Sequence, residues 1–329
     1  MTRAASMRLL VAVAISLAAS ATVAQELSQA DALGWLRRIA SAARQTNYVG
    51  TFVYQHGDAV ESSQLVHMTD GHGEWEKLST LEGRRCEVIR MNEELRTYLP
   101  DLKLIRIEAR FGRRGFPALP PEQLSGITEF YEVRKAEIER VAGYDAQILQ
   151  LEPKDAYRYG HKFWVETTKG LLIKATMTNE RHQVLEQFAF TLLEINAPLN
   201  RDLVKSSFAA VANDWKTVRS WSDETSGADM GWVVKNPPPG FRKITEMRRS
   251  KDGDSAPMLT HLVLSDGLAA VSVFIESVGA RRSATAGATQ LGVINIFTRK
   301  LGDQRITAMG EAPPITVMQI ANATVPKTK

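Results

Sequence analysis

The chain has 329 residues, of which 44% are hydrophobic and 24% charged, with a formal net charge of +4 and a single cysteine. Because this much apolar sequence can form buried cores unaided, a small disulfide-stapled scaffold is excluded. The lone Cys86 also excludes an internal disulfide and a cysteine-rich metal array.

The first 24 residues have the pattern of an export signal. Arg3 and Arg8 stand at the start without an acidic residue, and residues 9–21 carry no charge. Small residues follow, and they offer two alternative cleavage sites, after Ala21 and after Ala24. This apolar run is shorter than the roughly 20 residues that a membrane span needs. We therefore predict a signal peptide over residues 1–24, a chain exported from the cytoplasm, and no nucleic-acid partner.

A helix followed by a meander is predicted next. Over residues 28–47, Ser28 and Asp31 form an approximate capping box, and apolar residues recur at helical spacing. From Tyr48 onward, short β-branched and aromatic runs alternate with turn signals, which is typical of antiparallel strands. Both faces of the first strand are partly apolar, so both faces of the sheet must be shielded from water. The helix shields one face. The other is shielded by a second element or borders an apolar cavity able to take a lipid chain.

The rest of the chain suggests two domains. A basic, proline-rich loop is expected at residues 111–123 and a second meander at residues 162–195. Residues 213–231 lose apolar periodicity and are the predicted linker, between a large domain at residues 25–212 and a small one at residues 232–329. In the small domain, Asp266-Gly267 signals a hairpin. Residues 313–323 favour either a helix or a strand.

Charge differs between the two parts. Residues 25–230 contain 26 basic and 30 acidic residues, whereas residues 231–329 contain 13 basic and 7 acidic residues. The basic C-terminal part is either a site for an acidic partner or anionic lipid, or an ordinary solvated surface.

Motifs for chemistry are missing. The six histidines lack zincin spacing, and there is no nucleophile elbow, phosphate-binding loop or dinucleotide fingerprint. We predict no catalytic residue, no metal site and no cofactor.

Several blocks, in order along the chain, resemble the periplasmic sigma-E regulators of the RseB/MucB family. They span both predicted domains and are residues 47–54 (NYVGTFVY), 85–90 (RCEVIR), 98–101 (YLPD), 140–143 (RVAG), 154–160 (KDAYRYG), 170–174 (GLLIK), 265–269 (SDGLA) and 271–276 (VSVFIE).

The resemblance implies a fold and a function. The fold is α+β and mainly antiparallel, with a large lipoprotein-carrier-like, unclosed half-barrel covered by helices and a smaller α+β C-terminal domain. Family members bind the periplasmic segment of a membrane-spanning anti-sigma factor, protect it from regulated proteolysis, and release it on sensing lipopolysaccharide or mislocalised lipoprotein. The resemblance therefore implies a non-enzymatic, periplasmic negative regulator of the envelope-stress response.

Two sets of site residues follow as hypotheses. The first is a basic surface for the anti-sigma segment or for lipid phosphates, formed by Arg242, Lys243, Arg248, Arg249, Arg281 and Arg282. The second places acyl chains in the large domain, near Phe52, Tyr98, Trp164 and Phe190. Whether the chain forms a homo-oligomer is left open by the sequence.

Two other functions compete with the regulator. One is a periplasmic carrier of lipid or lipoprotein, which the second domain argues against because a simple carrier needs only the half-barrel. The other is an envelope hydrolase, which the missing nucleophile and metal motifs disfavour.

Overall fold

A computed structural model describes residues 24–92, 94–109, 119, 124–220, 230–250, 258–277 and 286–327. Residues 1–23 of the predicted signal peptide, and Arg281 and Arg282, lie outside these residues. The described part contains a large sheet, a smaller sheet and a short strand pair, with three α-helices. None of these helices has the length and apolarity of a bilayer-spanning segment.

The large sheet has thirteen strands. They are β1 (Gln25–Glu26), β2 (Tyr48–His56), β3 (Ala59–Thr69), β4 (Glu74–Thr80), β5 (Glu87–Met91), β6 (Glu94–Leu99), β7 (Leu104–Ala109), β8 (Tyr131–Val141), β9 (Tyr144–Pro153), β10 (Gly160–Glu166), β11 (Leu172–Thr178), β12 (Val184–Ile195) and β13 (Lys216–Ser220). Their order is β1-β8-β9-β10-β11-β12-β2-β3-β4-β5-β6-β7-β13, so the sheet is unclosed, with β1 and β13 at its edges. Every neighbouring pair is antiparallel except β13, which runs parallel to β7.

Helix α1 (Gln29–Gln45) covers part of this sheet, as predicted. The Ser28 side chain caps the helix by accepting a hydrogen bond from the backbone N–H of Asp31. Leu36 and Ile39 are fully buried against the short helix α2 (Leu124–Phe130) and the strands around Leu149 and Phe163. Burying such side chains stabilises the fold by about 1.5–3 kcal/mol each.

A second cluster of the large unit is aromatic. Tyr48, Trp164, Phe188 and Phe190 pack with Ile148, and the four aromatic side chains are each no more than 5% exposed. The Phe188 and Phe190 rings meet nearly edge to face, with centroids 5.1 Å apart. The side chains of this cluster are therefore packed core.

The smaller unit is built on a six-stranded sheet. Its strands are β15 (Arg242–Ser250), β16 (Met258–Ser265), β17 (Ala270–Ser277), β18 (Gly287–Leu291), β19 (Ile294–Leu301) and β20 (Gln304–Gly310), in the order β15-β16-β17-β20-β19-β18. Helix α3 (Pro314–Ala323) packs on it through Val317 and Ile320, which resolves the helix-or-strand alternative in favour of a helix. Strands β14 (Trp232–Val234) and β21 (Thr324–Pro326) pair beside it. The α+β, mainly antiparallel fold with an unclosed large sheet and a smaller C-terminal unit is confirmed.

The predicted linker contains structure. Residues 213–231 include β13, which belongs to the large sheet through its pairing with β7. Residues 221–229 lie outside the described part of the chain. The domain boundaries stay a prediction.

Candidate functional site

The loop at residues 155–159 of the large unit, between β9 and β10, contacts the smaller unit. Its Arg158 is buried, with a fully covered side chain. The Nη1 group donates to Oδ2 of Asp155 at 2.5 Å, and Nη2 donates to the Pro239 carbonyl. Nε lies 3.0 Å from Oδ2 of Asp266. The guanidinium therefore contacts both its own loop and the smaller unit.

Aromatic rings surround this guanidinium. Its central carbon is 4.4 Å from the ring centroid of Phe130 and 5.5 Å from that of Phe241. Desolvated cation–π contacts of this kind are worth about 2 kcal/mol. Gly240 has a φ of +82°, and a Cβ there would lie 2.5 Å from the Phe130 ring and 2.7 Å from Arg158. A side chain at position 240 is thus excluded both by conformation and by space.

Asp266 is the counter-charge in the smaller unit. Its side chain is 1% exposed, and its Oδ1 accepts the backbone N–H groups of Leu268 and Ala269 at 3.0 and 2.8 Å. Burial raises the pKa of Asp266, and the nearby Arg158 opposes this rise. Its Oδ2 approaches Nε of Arg158 as an ion pair without an aligned hydrogen bond. The pair is thus buried on both sides of the junction.

Two neighbouring residues of the same loop extend the junction. The Thr316 hydroxyl of α3 donates to the Tyr157 carbonyl at 2.7 Å. The Asn295 side-chain amide of β19 donates to the Tyr159 hydroxyl at 3.0 Å and to the Ala312 carbonyl at 2.9 Å. The loop thereby holds a helix and a strand of the smaller unit.

The structure describes the side chains of two of the six predicted basic residues. Arg242 and Lys243 are exposed on β15, an edge strand of the smaller sheet, and Lys243 pairs with Glu246. Arg248 and Arg249 lie on the same strand, but their side chains are outside the described part, as are Arg281 and Arg282 entirely. The structure therefore places four of the six along one edge strand, and their role stays a prediction.

The predicted lipid-contacting residues separate into two places. Phe52 pairs with Phe190 across β2 and β12, and both belong with Trp164 to the aromatic cluster. The Trp164 indole N–H also donates to Glu139 at 2.7 Å. Tyr98 lies on β6, outside that cluster, and is 8% exposed. The lipid assignment stays a prediction.

Sequence reasoning assigned no role to Arg158 or Asp266. Arg158 lies in a block that carries the family resemblance, and Asp266 lies in a hairpin signal. The available signal was a loop with charged residues, residues 154–160, between two predicted strands. Nothing in one sequence pairs two residues separated by more than a hundred positions.

Within the described residues, no three His, Cys, Asp or Glu side chains lie close enough to hold a metal ion.

Two family models match this chain. The MucB/RseB N-terminal domain matches residues 31–208, and the MucB/RseB C-terminal domain matches residues 226–325. The chain belongs to the MucB/RseB family. The curated relative "Sigma factor AlgU regulatory protein MucB" of Pseudomonas aeruginosa is 31% identical over 310 residues, which cover 89% of this chain and 90% of that protein. "Sigma-E factor regulatory protein RseB" of Escherichia coli K12 is 23% identical and covers 87% of this chain and 88% of its own length.

Solved structures of the MucB/RseB family extend the match to the fold of both units. The complex of Pseudomonas aeruginosa MucA and MucB contains a chain that is 27% identical to this one, with a TM-score of 0.71. The alignment covers 91% of this chain and 100% of the solved one. A second solved complex, of MucB with MucA(peri), matches with the same identity and TM-score.

Proposed function

We propose that this chain is a negative regulator of a sigma-E-type envelope-stress response, and that it acts by binding the periplasmic segment of a membrane-spanning anti-sigma factor. The observation that carries the proposal is the match over both units to a MucB chain solved in complex with MucA(peri). A binding role also agrees with a sequence that carries no catalytic motif.

The finer steps belong to the same proposal. The chain is exported to the periplasm by the signal peptide at residues 1–24. There it protects the anti-sigma segment from regulated proteolysis and releases it when lipopolysaccharide or mislocalised lipoprotein accumulates. The large domain at residues 25–212 takes the lipid signal near Phe52, Tyr98, Trp164 and Phe190.

The small domain at residues 232–329 makes the main contact with the anti-sigma segment, beyond a linker at residues 213–231. Its contact surface is the basic set formed by Arg242, Lys243, Arg248, Arg249, Arg281 and Arg282. The excess of basic residues in this part of the chain supports an acidic partner.

The test is a pull-down of the mature chain with the purified periplasmic segment of the organism's own membrane-spanning anti-sigma factor, with and without lipopolysaccharide. Binding that lipopolysaccharide reverses supports the regulator. Lipid binding without capture of the anti-sigma segment supports a periplasmic carrier instead.

A charge-reversal pair tests the contact surface in the same assay. Arg281→Glu with Arg282→Glu should weaken anti-sigma binding about ten-fold at low salt, because charges at the edge of an interface mainly speed association. The matched control reverses exposed Arg181 and Lys216, on the large unit. Equal affinity of the two double variants would remove Arg281 and Arg282 from the contact surface.

A further inference from the structure

A cavity of about 690 Å³ lies between α1 and the turns that follow β3 and β5. Arg37, Ser41 and Arg44 line it from α1, where their spacing places them on one helix face. Arg90 and Glu74 line it from the sheet. Its volume lies within the range of about 300–1,000 Å³ that is usual for small-molecule sites.

Arg90 has an unsatisfied donor in this region. It is 9% exposed, and its Nη2 contacts Glu74 at 2.5 Å and Glu76 at 3.1 Å. Its Nε is buried, and among the described residues it has no hydrogen-bond partner. A buried N–H group without an acceptor is unfavourable, so a shift of the Arg90 side chain that brought Nε to a ligand oxygen in the cavity would be favoured.

Glu74 does not neutralise the cavity, because its charge is already engaged. Its Oε1 contacts Nε2 of His67 at 3.1 Å as well as Arg90. Burial favours its neutral form, but the hydrogen bonds from His67 and Arg90 outweigh burial and lower the pKa of Glu74 to about 2. The carboxylate therefore stays ionised and paired with groups of the sheet.

Arg37 and Arg44 supply the excess positive charge. Both are exposed, and neither forms an ion pair within the part of the chain that the structure describes. Arg90 in the cavity wall is already paired with Glu74 and Glu76, so the unpaired positive charge of the lining is that of Arg37 and Arg44. Guanidinium groups suit anions with several oxygens, because their planar N–H forks match such groups in pairs.

We propose that this cavity binds the phosphomonoester group of an organic headgroup. The guanidinium groups of Arg37 and Arg44 bind the phosphate oxygens. The volume exceeds what one phosphate ion fills, and the neighbouring hydroxyls of Ser41 and Thr69 suit the hydroxyls of an attached sugar or polyol. This proposal deepens the proposed function, because it places the recognition of a phosphorylated envelope component at a specific site.

The experiment is calorimetric titration of the mature chain at low salt with three probes: glucose 1-phosphate, inorganic phosphate and glucose. We expect glucose 1-phosphate to bind, inorganic phosphate to bind more weakly, and glucose not to bind. Arg37→Gln with Arg44→Gln should weaken glucose 1-phosphate binding about ten-fold or more, since a hydrogen bond to a charged group is worth about 1.5–3 kcal/mol.

A matched control separates the site from general charge. Arg181→Gln with Lys300→Gln removes the same charge from exposed positions outside the cavity lining. Equal weakening by the two double variants would overturn the site, and so would a wild-type chain that binds neither phosphate probe. Inorganic phosphate binding as tightly as glucose 1-phosphate would overturn the organic headgroup. Arg90 is left unchanged, because removing it would leave two carboxylates without their partner.

Failure here is distinguishable from failure of the proposed function. The anti-sigma pull-down without lipopolysaccharide does not depend on the cavity. A wild-type chain that captures the anti-sigma segment but binds no phosphate probe would contradict only the phosphate site. A chain that binds glucose 1-phosphate through Arg37 and Arg44 but captures no anti-sigma segment would keep the site and remove the regulator.

Discussion

The junction between the units and the cavity beneath α1 both depend on arginine, but they use it differently. Arg158 is fully covered, and its nitrogens contact Asp155, Asp266 and the Pro239 carbonyl. Arg37 and Arg44 are exposed and without an ion pair among the described residues. A desolvated, engaged guanidinium holds protein segments together, whereas an exposed, unpaired one is free to bind a ligand. The two regions therefore should respond in opposite ways to loss of charge.

The largest effect is expected at the junction. Arg158→Met should lower the free energy of unfolding by about 3–5 kcal/mol, because it leaves the buried Asp266 without a counter-charge. Urea denaturation followed by tryptophan fluorescence measures this. The double variant Arg158→Met with Asp266→Asn should recover part of the loss, since no unpaired charge is then buried. A single variant as stable as the wild type would contradict a structural role for the pair.

Gly240 should be the next most sensitive position. Gly240→Ala should destabilise the fold by about 2–3 kcal/mol, because φ is positive there and the added Cβ would overlap the Phe130 ring and Arg158. The same urea titration checks it. Gly57→Ala is the matched control, because Gly57 also has a positive φ but open space around its Cβ position. Equal losses in the two variants would show that backbone strain, not crowding at the junction, sets the cost.

The pH dependence of the free energy of unfolding should test the environment of His161, which lies near the junction. Burial lowers the pKa of His161 to about 4, and its ring lies 6.1 Å from that of Tyr131, beside Arg158. The folded pKa is below the unfolded value, so the unfolded chain binds the proton more readily. Stability from neutral His161 is thus full above about pH 6.5 and falls as the pH drops toward 4.

The His161 residue is only half-buried, so this loss is limited to about 1–2 kcal/mol. His161→Gln should flatten the unfolding free energy between pH 6.5 and 4, measured by urea titrations at several pH values. His182→Gln serves as the control, because His182 is an exposed turn residue. An unchanged slope in the His161 variant would mean that other groups cause the pH dependence.

The elements that sequence predicted correctly are those whose signals are local. Helix α1 begins after the Ser28 cap and ends two residues before the predicted boundary, because capping and helical spacing act within one segment. α3 required tertiary context: its β-branched residues left a strand open, and packing of Val317 and Ile320 on the smaller sheet decides for a helix. Strand β13 forms within the predicted linker because the backbone of β7 pairs with it, which its own composition does not encode.

The sites divide in the same way. The basic composition of the C-terminal part could be read directly, but which arginines are paired depends on partners far along the chain. Trp164 and Phe190 are predicted to lie near bound acyl chains, and the structure packs both into an aromatic core. Apolar character in a strand does not distinguish a cavity wall from a core, because both need the same residues.

The smallest effect on stability is expected from the cavity arginines. Arg37→Gln with Arg44→Gln should change the free energy of unfolding by less than about 0.5 kcal/mol, since exposed side chains outside specific contacts contribute little. We expect a slight gain, because the change removes the repulsion between these two guanidinium groups. Urea denaturation beside Arg181→Gln with Lys300→Gln measures the difference. If the cavity variant instead loses as much stability as Gly240→Ala, Arg37 and Arg44 hold α1 in place, and the contrast with Arg158 fails.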